Sequence, residues 1–383
     1  MTRNQRETEP SIRGTEETVV RAALQRGDPL PGTSGFAGWV DDTLVRDVLG
    51  RVPLFVERSV IEGAASPTPA LTAFRPVALE DPVAFPAGHA LSRNGPPGET
   101  PERVWELPEG DQLDAPNDGQ TVIDHVDTRI RCAVDTVETE SVAVAFSGGV
   151  DSALVAALLD APLYVVGFPD SHDLEAARTA ATAMGKDLNV VELEPADLER
   201  AVPKIARETG RTNAMDVQIA LPLYLVAEAV AADGFDALAV GQGADELFGG
   251  YEKVVRLDHR VDAETVRGAV REQILTLPEQ LPRDVLTLEA AGVEPVAPLL
   301  HDGVVEAALA LPDRWLADES ERKRALRTVA ARVLPDSVAK RDKKAVQYGS
   351  LTARELDRLA RQAGYKRRMD DHVGQYIESL LES

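Results

Sequence analysis

Apolar runs without a polar face recur through the second half of the chain. Val142–Phe146 and Leu163–Gly167 are two of them, and shorter strand-like segments follow at Val190–Leu193 and Ala237–Val240. Strands that lack a polar side are buried on both faces, as in a parallel sheet covered by helices. The segments between them carry apolar residues at helical spacing. This alternation predicts an α/β fold, a parallel sheet with helices on both of its faces.

The first part of the chain has a different pattern. After a helix predicted at Thr15–Gln25, short strand-like runs alternate with Gly and Pro, at 35–40, 42–45, 53–56 and 71–74. We predict a disordered segment at 1–14, a small β-rich α+β domain at 15–110 and the α/β domain at 111–383. Seven prolines among polar residues between positions 81 and 116 favour an extended linker.

A glycine turn follows the strand at Val142–Phe146, with the sequence SGGVDS at Ser147–Ser152. Glycines let a backbone approach a ligand closely, and the free N–H groups of a helix N-terminus attract phosphate. The string lacks the lysine of the P-loop pattern. It therefore predicts a phosphate site of another kind, and a glycine turn without a ligand is the alternative.

A second glycine turn, at Gly241–Gly243, follows the strand at Ala237–Val240 and leads to Asp245. Ligands of parallel sheets bind beyond the carboxyl ends of the strands, so the two turns are expected to lie close together. A carboxylate beside a phosphate site indicates a divalent cation between them, and Mg²⁺ uses one or two carboxylates together with phosphate oxygens. Asp151 and Asp245 are the candidate ligands of Mg²⁺.

Composition narrows the classes of partner and compartment. The formal net charge of −23 argues against general binding to nucleic acid. No apolar run is long enough to predict a membrane span, and the single cysteine, Cys132, is typical of a reducing, cytoplasmic environment. The acid-rich, lysine-poor composition resembles that of proteins from halophilic archaea. Four of the eight lysines nevertheless fall between positions 323 and 344.

The two turns taken together resemble a known family. SGGVDS followed by GQGADELFGGY (Gly241–Tyr251) is similar to the synthetase domain of the asparagine synthetases, within the ATP pyrophosphatase superfamily. RD at Arg283–Asp284, VEPVAPLL, KRALR and LPDSVAKRDKKAVQYGS resemble further motifs of that family. VRDVLGRVPLFVE and FPAGHAL resemble pieces of class II glutamine amidotransferase domains. That family uses an N-terminal cysteine, whereas Thr2 stands here, which predicts a degenerate domain without glutaminase activity.

The resemblance implies a chemistry and a set of residues. A carboxylate would attack the α-phosphorus of ATP to give an acyl-adenylate and pyrophosphate, and ammonia would then displace AMP. Lys343, Asp245 and Gln242 would be catalytic, with Mg²⁺ on Asp151 and Asp245, and Glu246 and Asn213 would face the acceptor. The residues implied to contact ATP or pyrophosphate are Ala145, Phe146, Ser147, Gly148, Gly149, Val150, Asp151, Ser152, Val166, Val240, Gly241, Gly243 and Arg341.

Several departures leave the acceptor open. Gln242 stands where bacterial asparagine synthetases have a glutamate, and VAPLLH lacks an arginine and an aspartate of the family motif. Aspartate is the first expectation for the acceptor, and the alternatives are a lactam- or amide-forming enzyme acting on another carboxylate and a nucleotide-binding protein without catalysis. The nitrogen would come from free ammonia or a separate glutaminase, and a homodimer is left open.

Overall fold

The computed structural model describes residues 11–96, 98–110, 113, 119–137, 141–341 and 351–382. The chain divides into two compact units. One comprises residues up to Pro108 together with Leu275–Pro282, and the other comprises Glu109–Ile274 and Arg283–Ser383.

Two small antiparallel sheets form the first unit. One has the strand order β1-β2-β6-β7 and the other β4-β3-β5, around a core that includes Trp39, Leu54 and Phe85. The elements are α1 (Glu17–Arg26), β1 (Ala37–Val40), β2 (Thr43–Arg46), β3 (Phe55–Glu57), α2 (Arg58–Ile61), β4 (Thr72–Ala73), β5 (Pro82–Ala84), β6 (His89–Ser92) and β7 (Glu102–Arg103), with 3₁₀ turns at Pro69–Leu71 and Pro76–Ala78.

Two expectations for this region differ from the structure. Strands β5 to β7 lie within the proline-rich segment that favoured an extended linker. Pro82 begins β5 at a sheet edge, where a missing N–H is tolerated. In the segment predicted to be disordered, the backbones of Arg13 and Ala37 exchange hydrogen bonds of 2.8 and 3.2 Å, because β1 offers an edge. Residues 1–10 lie outside the described residues.

The Arg46–Asp47 pair is structural in this unit. Arg46 is fully buried and donates hydrogen bonds to the carbonyls of Val52, Phe85 and Gly50 at 3.1, 2.7 and 2.8 Å. Burial lowers the pKa of its guanidinium to about 10. Asp47 pairs with Arg51 at 2.9 Å. The guanidinium thus binds the chain's own backbone, which fixes the turn after β2.

The second unit carries the larger core. The elements from residue 119 onward are α3 (Gly119–Asp135), β8 (Val142–Ala145), α4 (Val150–Leu159), β9 (Leu163–Gly167), α5 (His172–Met184), β10 (Leu188–Glu192), α6 (Pro195–Thr209), α7 (Ala214–Ala232), β11 (Ala237–Ala239), α8 (Ala244–Phe248), α9 (Glu252–Arg256), α10 (Val266–Leu275), α11 (Leu277–Ala291), β12 (Glu294–Val296), a 3₁₀ turn (Pro298–Leu300), α12 (Asp302–Leu309), α13 (Asp313–Leu316), α14 (Arg324–Ala330), α15 (Asp336–Ala339), α16 (Leu351–Gln362) and α17 (His372–Leu381). They belong to the second unit except for Leu275 and the part of α11 up to Pro282, which belong to the first.

Five parallel strands form the sheet of this unit, in the order β10-β9-β8-β11-β12. Val144 of β8 pairs with Ala239 of β11, and Ala145 pairs with Tyr164 of β9. The predicted α/β class with a parallel sheet is confirmed. Since β8 and β11 are parallel neighbours, the glycine turns that follow them leave the sheet at the same edge.

One helix in the described part of the chain, Ala214–Ala232, is long and apolar enough to cross a membrane, with a mean hydropathy of 1.4. Its residues Val217, Leu221 and Tyr224 are fully buried in a core shared with α6. Core helices meet the same length and composition criteria, and this packing accounts for the apolar character of α7.

Candidate active site

The turn after β8 is held closed by its own serines. The Ser147 N–H donates to Ser152 Oγ at 3.2 Å, and Ser152 Oγ donates to the Gly149 carbonyl at 3.3 Å. Gly148 has a φ of +71°, and a Cβ there would lie 2.7 Å from the Ala176 carbonyl. The turn therefore needs glycine both for its conformation and for its close approach to α5. It presents the N-terminus of α4, where N–H groups favour an anion.

The turn after β11 packs directly on this first turn. A Cβ at Gly241 would lie 2.8 Å from the Ser152 nitrogen and 2.9 Å from the Asp151 carbonyl carbon, so only glycine fits. Gly243, at a φ of +89°, precedes α8 and its Asp245. The two sequence strings that predicted a common site thus meet in space.

Asp151 and Asp245 converge on one cation, which is Lys323. The Lys323 Nζ lies 2.8 Å from both oxygens of Asp151 and 2.7 Å from Asp245 Oδ1. We call these three residues the lysine bridge. The lysine side chain is 8% exposed, whereas those of Asp151 and Asp245 are 25% and 44% exposed. Burial, the strongest influence, works to lower the pKa of Lys323, but the two carboxylates raise it above its usual value.

The chemistry of this group fits a divalent cation. Two carboxylates from different loops already share one positive charge, and the ammonium group stands in for a metal ion between them. Only glycine fits at Gly250, since a Cβ there would lie 1.8 Å from Asp245 Oδ1. Within the described ranges, no group of three or more His, Cys, Asp or Glu residues is arranged to hold a metal ion. Two carboxylates with phosphate oxygens and water are a usual set for Mg²⁺.

Glu246 faces the protein interior rather than the lysine bridge. It is buried and accepts a hydrogen bond from the Tyr251 hydroxyl. Burial raises the pKa of its carboxyl group. The hydrogen bond from Tyr251 places Glu246 as a support for α8, and it is not among the residues lining the neighbouring cavity.

A largely apolar cavity of about 310 Å³ opens at the carboxyl edge of the sheet. Its walls come from the ends of β8 and β9 and from α7, with Pro222 and Leu223 on the helix side. An apolar slot beside a phosphate-type turn is suited to a planar heterocycle. Six of the residues predicted to be functional line it: Ala145, Phe146, Ser147, Val166, Val240 and Gln242.

At the same cavity, Gln242 joins a buried network that we call the arginine cluster, formed by Gln242, Asp284, Arg283 and Asp216. The Gln242 amide nitrogen donates to Asp284 Oδ2. Arg283 donates to both oxygens of Asp284, at 2.7 and 3.1 Å, and to Asp216 Oδ1 at 2.8 Å. Its guanidinium is thus paired on both sides with carboxylates of its own chain.

Burial shapes the electrostatics of this network. Burial is the strongest influence on the pKa of the Asp284 carboxyl group and raises it. For Arg283, burial alone would lower the pKa, but Asp284 and Asp216 together raise it. The guanidinium therefore stays charged, and three hydrogen bonds favour the ionised form of Asp284 against its burial.

The remaining predicted residues have other roles or cannot be placed. Asn213 caps α7, since its side-chain oxygen accepts from the Asp216 N–H at 2.9 Å. Arg341 donates to the Ala176 carbonyl at 3.0 Å and so links the residues after α15 to α5. Lys343 lies outside the described residues, so its predicted catalytic role stays a prediction.

Sequence reasoning assigned no role to Lys323, Arg283 or Asp284. All three belong to strings that resembled family motifs, KRALR and RD, and Lys323 begins the lysine-rich stretch. That enrichment was the available signal. Lys323 is 172 positions from Asp151, and Asp284 is 42 positions from Gln242, so neither pairing could be inferred from local spacing.

The fold and this site define a class: an α/β protein with a phosphate-type turn and paired carboxylates at the carboxyl edge of a parallel sheet. The model of the asparagine synthase family matches residues 125–284 and 263–378, more than half of the chain. The chain belongs to the asparagine synthase family, and the resemblance seen in its motifs is confirmed.

Two relatives illustrate the extent of the similarity. The chain is 30% identical over 278 residues to the "Putative asparagine synthetase (glutamine-hydrolyzing) 1" of Methanocaldococcus jannaschii, covering 63% of this chain and 51% of that protein. It is 24% identical over 365 residues to asparagine synthetase B (glutamine-hydrolyzing) of Escherichia coli, covering 86% and 64% respectively. The chain thus matches about half to two thirds of the length of these relatives.

A solved structure of the NH3-dependent NAD synthetase from Campylobacter jejuni is also similar, at 13% identity over 70% of this chain and 94% of that one. The TM-score is 0.29, too low to support any conclusion about the site.

Proposed function

We propose that this protein is an ATP-dependent, AMP-forming amide synthetase. A carboxylate oxygen of the acceptor attacks the α-phosphorus of ATP, the bond to the bridging oxygen breaks, and pyrophosphate leaves. Ammonia then attacks the acyl carbon of the adenylate, AMP leaves with the electron pair, and a proton is released. The products are an amide, AMP and pyrophosphate.

The observation that carries the proposal is the convergence of Asp151 and Asp245 beside the Ser147–Ser152 turn. The two carboxylates come from loops after neighbouring parallel strands, within reach of one cation. A phosphate-type turn alone serves many nucleotide-binding proteins. Together with two carboxylates and an adjoining apolar cavity, it supports binding of a nucleoside triphosphate with its metal ion.

Each part of the site has a place in this scheme. The N–H groups of the Ser147–Ser152 turn would bind the departing pyrophosphate, and the apolar wall at Phe146, Val166 and Val240 would hold the adenine. Asp151 and Asp245 would hold Mg²⁺, which when bound neutralises phosphate charge. Lys343 is proposed to stabilise negative charge during adenylation.

The nitrogen source is proposed to be ammonia. Both relatives carry "glutamine-hydrolyzing" in their names, but the single cysteine of this chain, Cys132, lies on α3 and so outside the small β-rich unit. Class II amidotransferases use a cysteine to attack glutamine. Glutamine should therefore not replace ammonium for this protein.

Aspartate is the first acceptor we propose, and the arginine cluster favours testing a second class. A dicarboxylic acceptor needs a cation for the carboxylate that does not react. Arg283 already pairs with Asp284 and Asp216. A carboxylate acceptor without a second acidic group is therefore the alternative, as in an amide- or lactam-forming enzyme.

The decisive experiment is carboxylate-dependent exchange of labelled pyrophosphate into ATP, at low and at high potassium chloride. The panel holds aspartate, its monocarboxylic analogues and unrelated acids. Exchange that requires aspartate supports the leading acceptor, and exchange only with another acid supports the alternative. Absence of exchange with every acid, although ATP binds, would refute adenylation.

The matched control is Asp160→Asn, because Asp160 ends α4 and pairs only at the surface, with Lys186. It should exchange at the wild-type rate, so that a loss at Asp151 reports on the site. Formation of amide with ammonium but not with glutamine completes the test, and release of glutamate from glutamine would contradict the proposed nitrogen source.

A further inference from the structure

The lysine bridge has a property that a simple metal site does not need. Its two carboxylates are partly exposed to solvent, yet both are already paired with one buried ammonium group at 2.7–2.8 Å. A divalent cation entering between Asp151 and Asp245 would meet that ammonium at close range. Like charges at such distances repel strongly where the dielectric is low.

We propose that Lys323 makes metal binding depend on the nucleotide. Without nucleotide, the ammonium occupies the carboxylates and keeps free metal ions out. When the phosphates of ATP arrive, they offer the ammonium a second set of anionic partners, and Asp151 and Asp245 become available to the metal ion. The inference rests on the proposed function only in taking a nucleoside triphosphate as the ligand.

The geometry around Lys323 delivers its ammonium group to the two carboxylates from one fixed point of the backbone. Its backbone is left-handed, with a φ of +56°, directly before α14. That position fixes the root of the side chain while its four methylenes reach the carboxylates. At Gly250, a Cβ would lie 2.4 Å from Lys323 Cε, so only glycine lets the lysine stem pass this close to the backbone.

The coupling is reciprocal by linkage. If nucleotide raises the affinity for metal by some factor, metal raises the affinity for nucleotide by the same factor. Removing the ammonium should therefore have two effects. The affinity for metal without nucleotide rises, and the factor by which nucleotide improves it falls.

The test is a titration of Mn²⁺ followed by electron paramagnetic resonance, with and without an ATP analogue that carries a methylene between the α- and β-phosphorus. The acidic surface binds Mn²⁺ elsewhere, so binding at the site is the difference from Asp245→Asn. In the wild type we expect the analogue to increase the affinity of this site for Mn²⁺ by at least about tenfold. A wild-type factor near one would overturn the proposal without any variant at Lys323.

The variant Lys323→Met should bind Mn²⁺ without nucleotide at least about tenfold more tightly than the wild type, because one positive charge is gone. Lys323→Arg keeps the charge, so its nucleotide-free binding of Mn²⁺ should stay within a few-fold of the wild type. Lys340→Met is the control, since Lys340 is an exposed partner of Asp336. Nucleotide-free binding of Mn²⁺ that is unchanged or weaker in Lys323→Met refutes the role of Lys323.

These outcomes separate the inference from the proposed function. Binding of Mn²⁺ is measured without turnover, so a protein that adenylates no acid can still show the coupling. Conversely, pyrophosphate exchange with no coupling would keep the synthetase activity and remove the role of Lys323.

Discussion

The lysine bridge and the arginine cluster both place a cation between two carboxylates, but in opposite surroundings. In the lysine bridge the carboxylates are 25% and 44% exposed and share a single flexible ammonium group. In the arginine cluster Asp216 and Asp284 are 16% and 10% exposed and receive three hydrogen bonds from one planar guanidinium. The first arrangement permits exchange of its cation, whereas the second fixes its geometry.

The choice of cation follows from this difference. Lysine is a point charge on a flexible stem, and arginine is a rigid fork that matches carboxylates. A site that must accept a metal ion and phosphates benefits from a partner that can be displaced. A wall that must keep one shape benefits from a partner that cannot. The predictions below test that contrast, from the largest expected effect to the smallest.

Arg283→Met should give the largest effect, a loss of about 3–5 kcal/mol in the free energy of unfolding, because Asp284 is left buried without its cation, whereas Asp216 keeps Arg211 at 3.0 Å. Urea unfolding measures it. The surface pair of Arg200 with Glu228 provides the control, and Arg200→Met should cost less than about 1 kcal/mol. A loss below about 1 kcal/mol for Arg283→Met would contradict the locked character of the cluster.

Asp151→Asn or Asp245→Asn should lower the rate of pyrophosphate exchange by at least about 100-fold, since each removes half of the charge that would hold the metal ion. Both side chains are partly exposed and Lys323 keeps one carboxylate partner in either variant, so the cooperativity of unfolding should be preserved. The exchange assay at saturating acceptor measures the effect against the Asp160→Asn control. Exchange within a few-fold of the wild type would show that the two carboxylates serve only Lys323.

Gln242→Glu should destabilise the protein by about 1–3 kcal/mol at neutral pH, because two carboxylates would meet in a buried site and a hydrogen bond would be lost. One of the pair would then keep its proton, with a raised pKa in the folded state. Stability would be highest at acidic pH and would fall as the pH rises through that pKa. Urea unfolding at pH 5 and pH 8 tests the sign, and Gln242→Met, which adds no second carboxylate, should show a smaller dependence.

Asp357 links α16 to the start of α17 through a 2.8 Å hydrogen bond with His372. Its substitution should give the smallest effect, a small loss of stability. The Arg367 hydrogen bond is the main cause that lowers the pKa of Asp357 to about 2, and His372 and Arg361 add to it. A lowered carboxyl pKa stabilises above the ordinary value near 4, and this contribution is lost as the pH falls to about 2.

Asp357→Asn should therefore lower stability by less than about 1 kcal/mol at neutral pH, because the group lies near the surface. The difference from the wild type should vanish near pH 2. Thermal unfolding across this range measures it, with Asp336→Asn as the exposed control. A difference that persists at acidic pH would show that the side chain acts through packing instead.

The sequence predicted the local elements of the site well. The apolar run at Leu163–Gly167 has the same bounds as β9, and the helix predicted at Thr15–Gln25 is observed as α1 at Glu17–Arg26. Glycine spacing and apolar periodicity depend on residues close together in the sequence, so they can be recognised from the sequence alone. The partners of Gln242 and of Asp151 were not predicted, because each pairing joins segments far apart in the sequence.

By itself, then, the sequence determined the parallel sheet, the two glycine turns and the candidate carboxylates, since steric and hydrophobic preferences act on neighbouring residues. The tertiary structure decided the strand order β10-β9-β8-β11-β12 and hence which turns face each other. It also decided that Lys323 bridges Asp151 and Asp245, and that Arg283 is held by its own chain. Charge pairing acts across space, and no spacing along the chain encodes it.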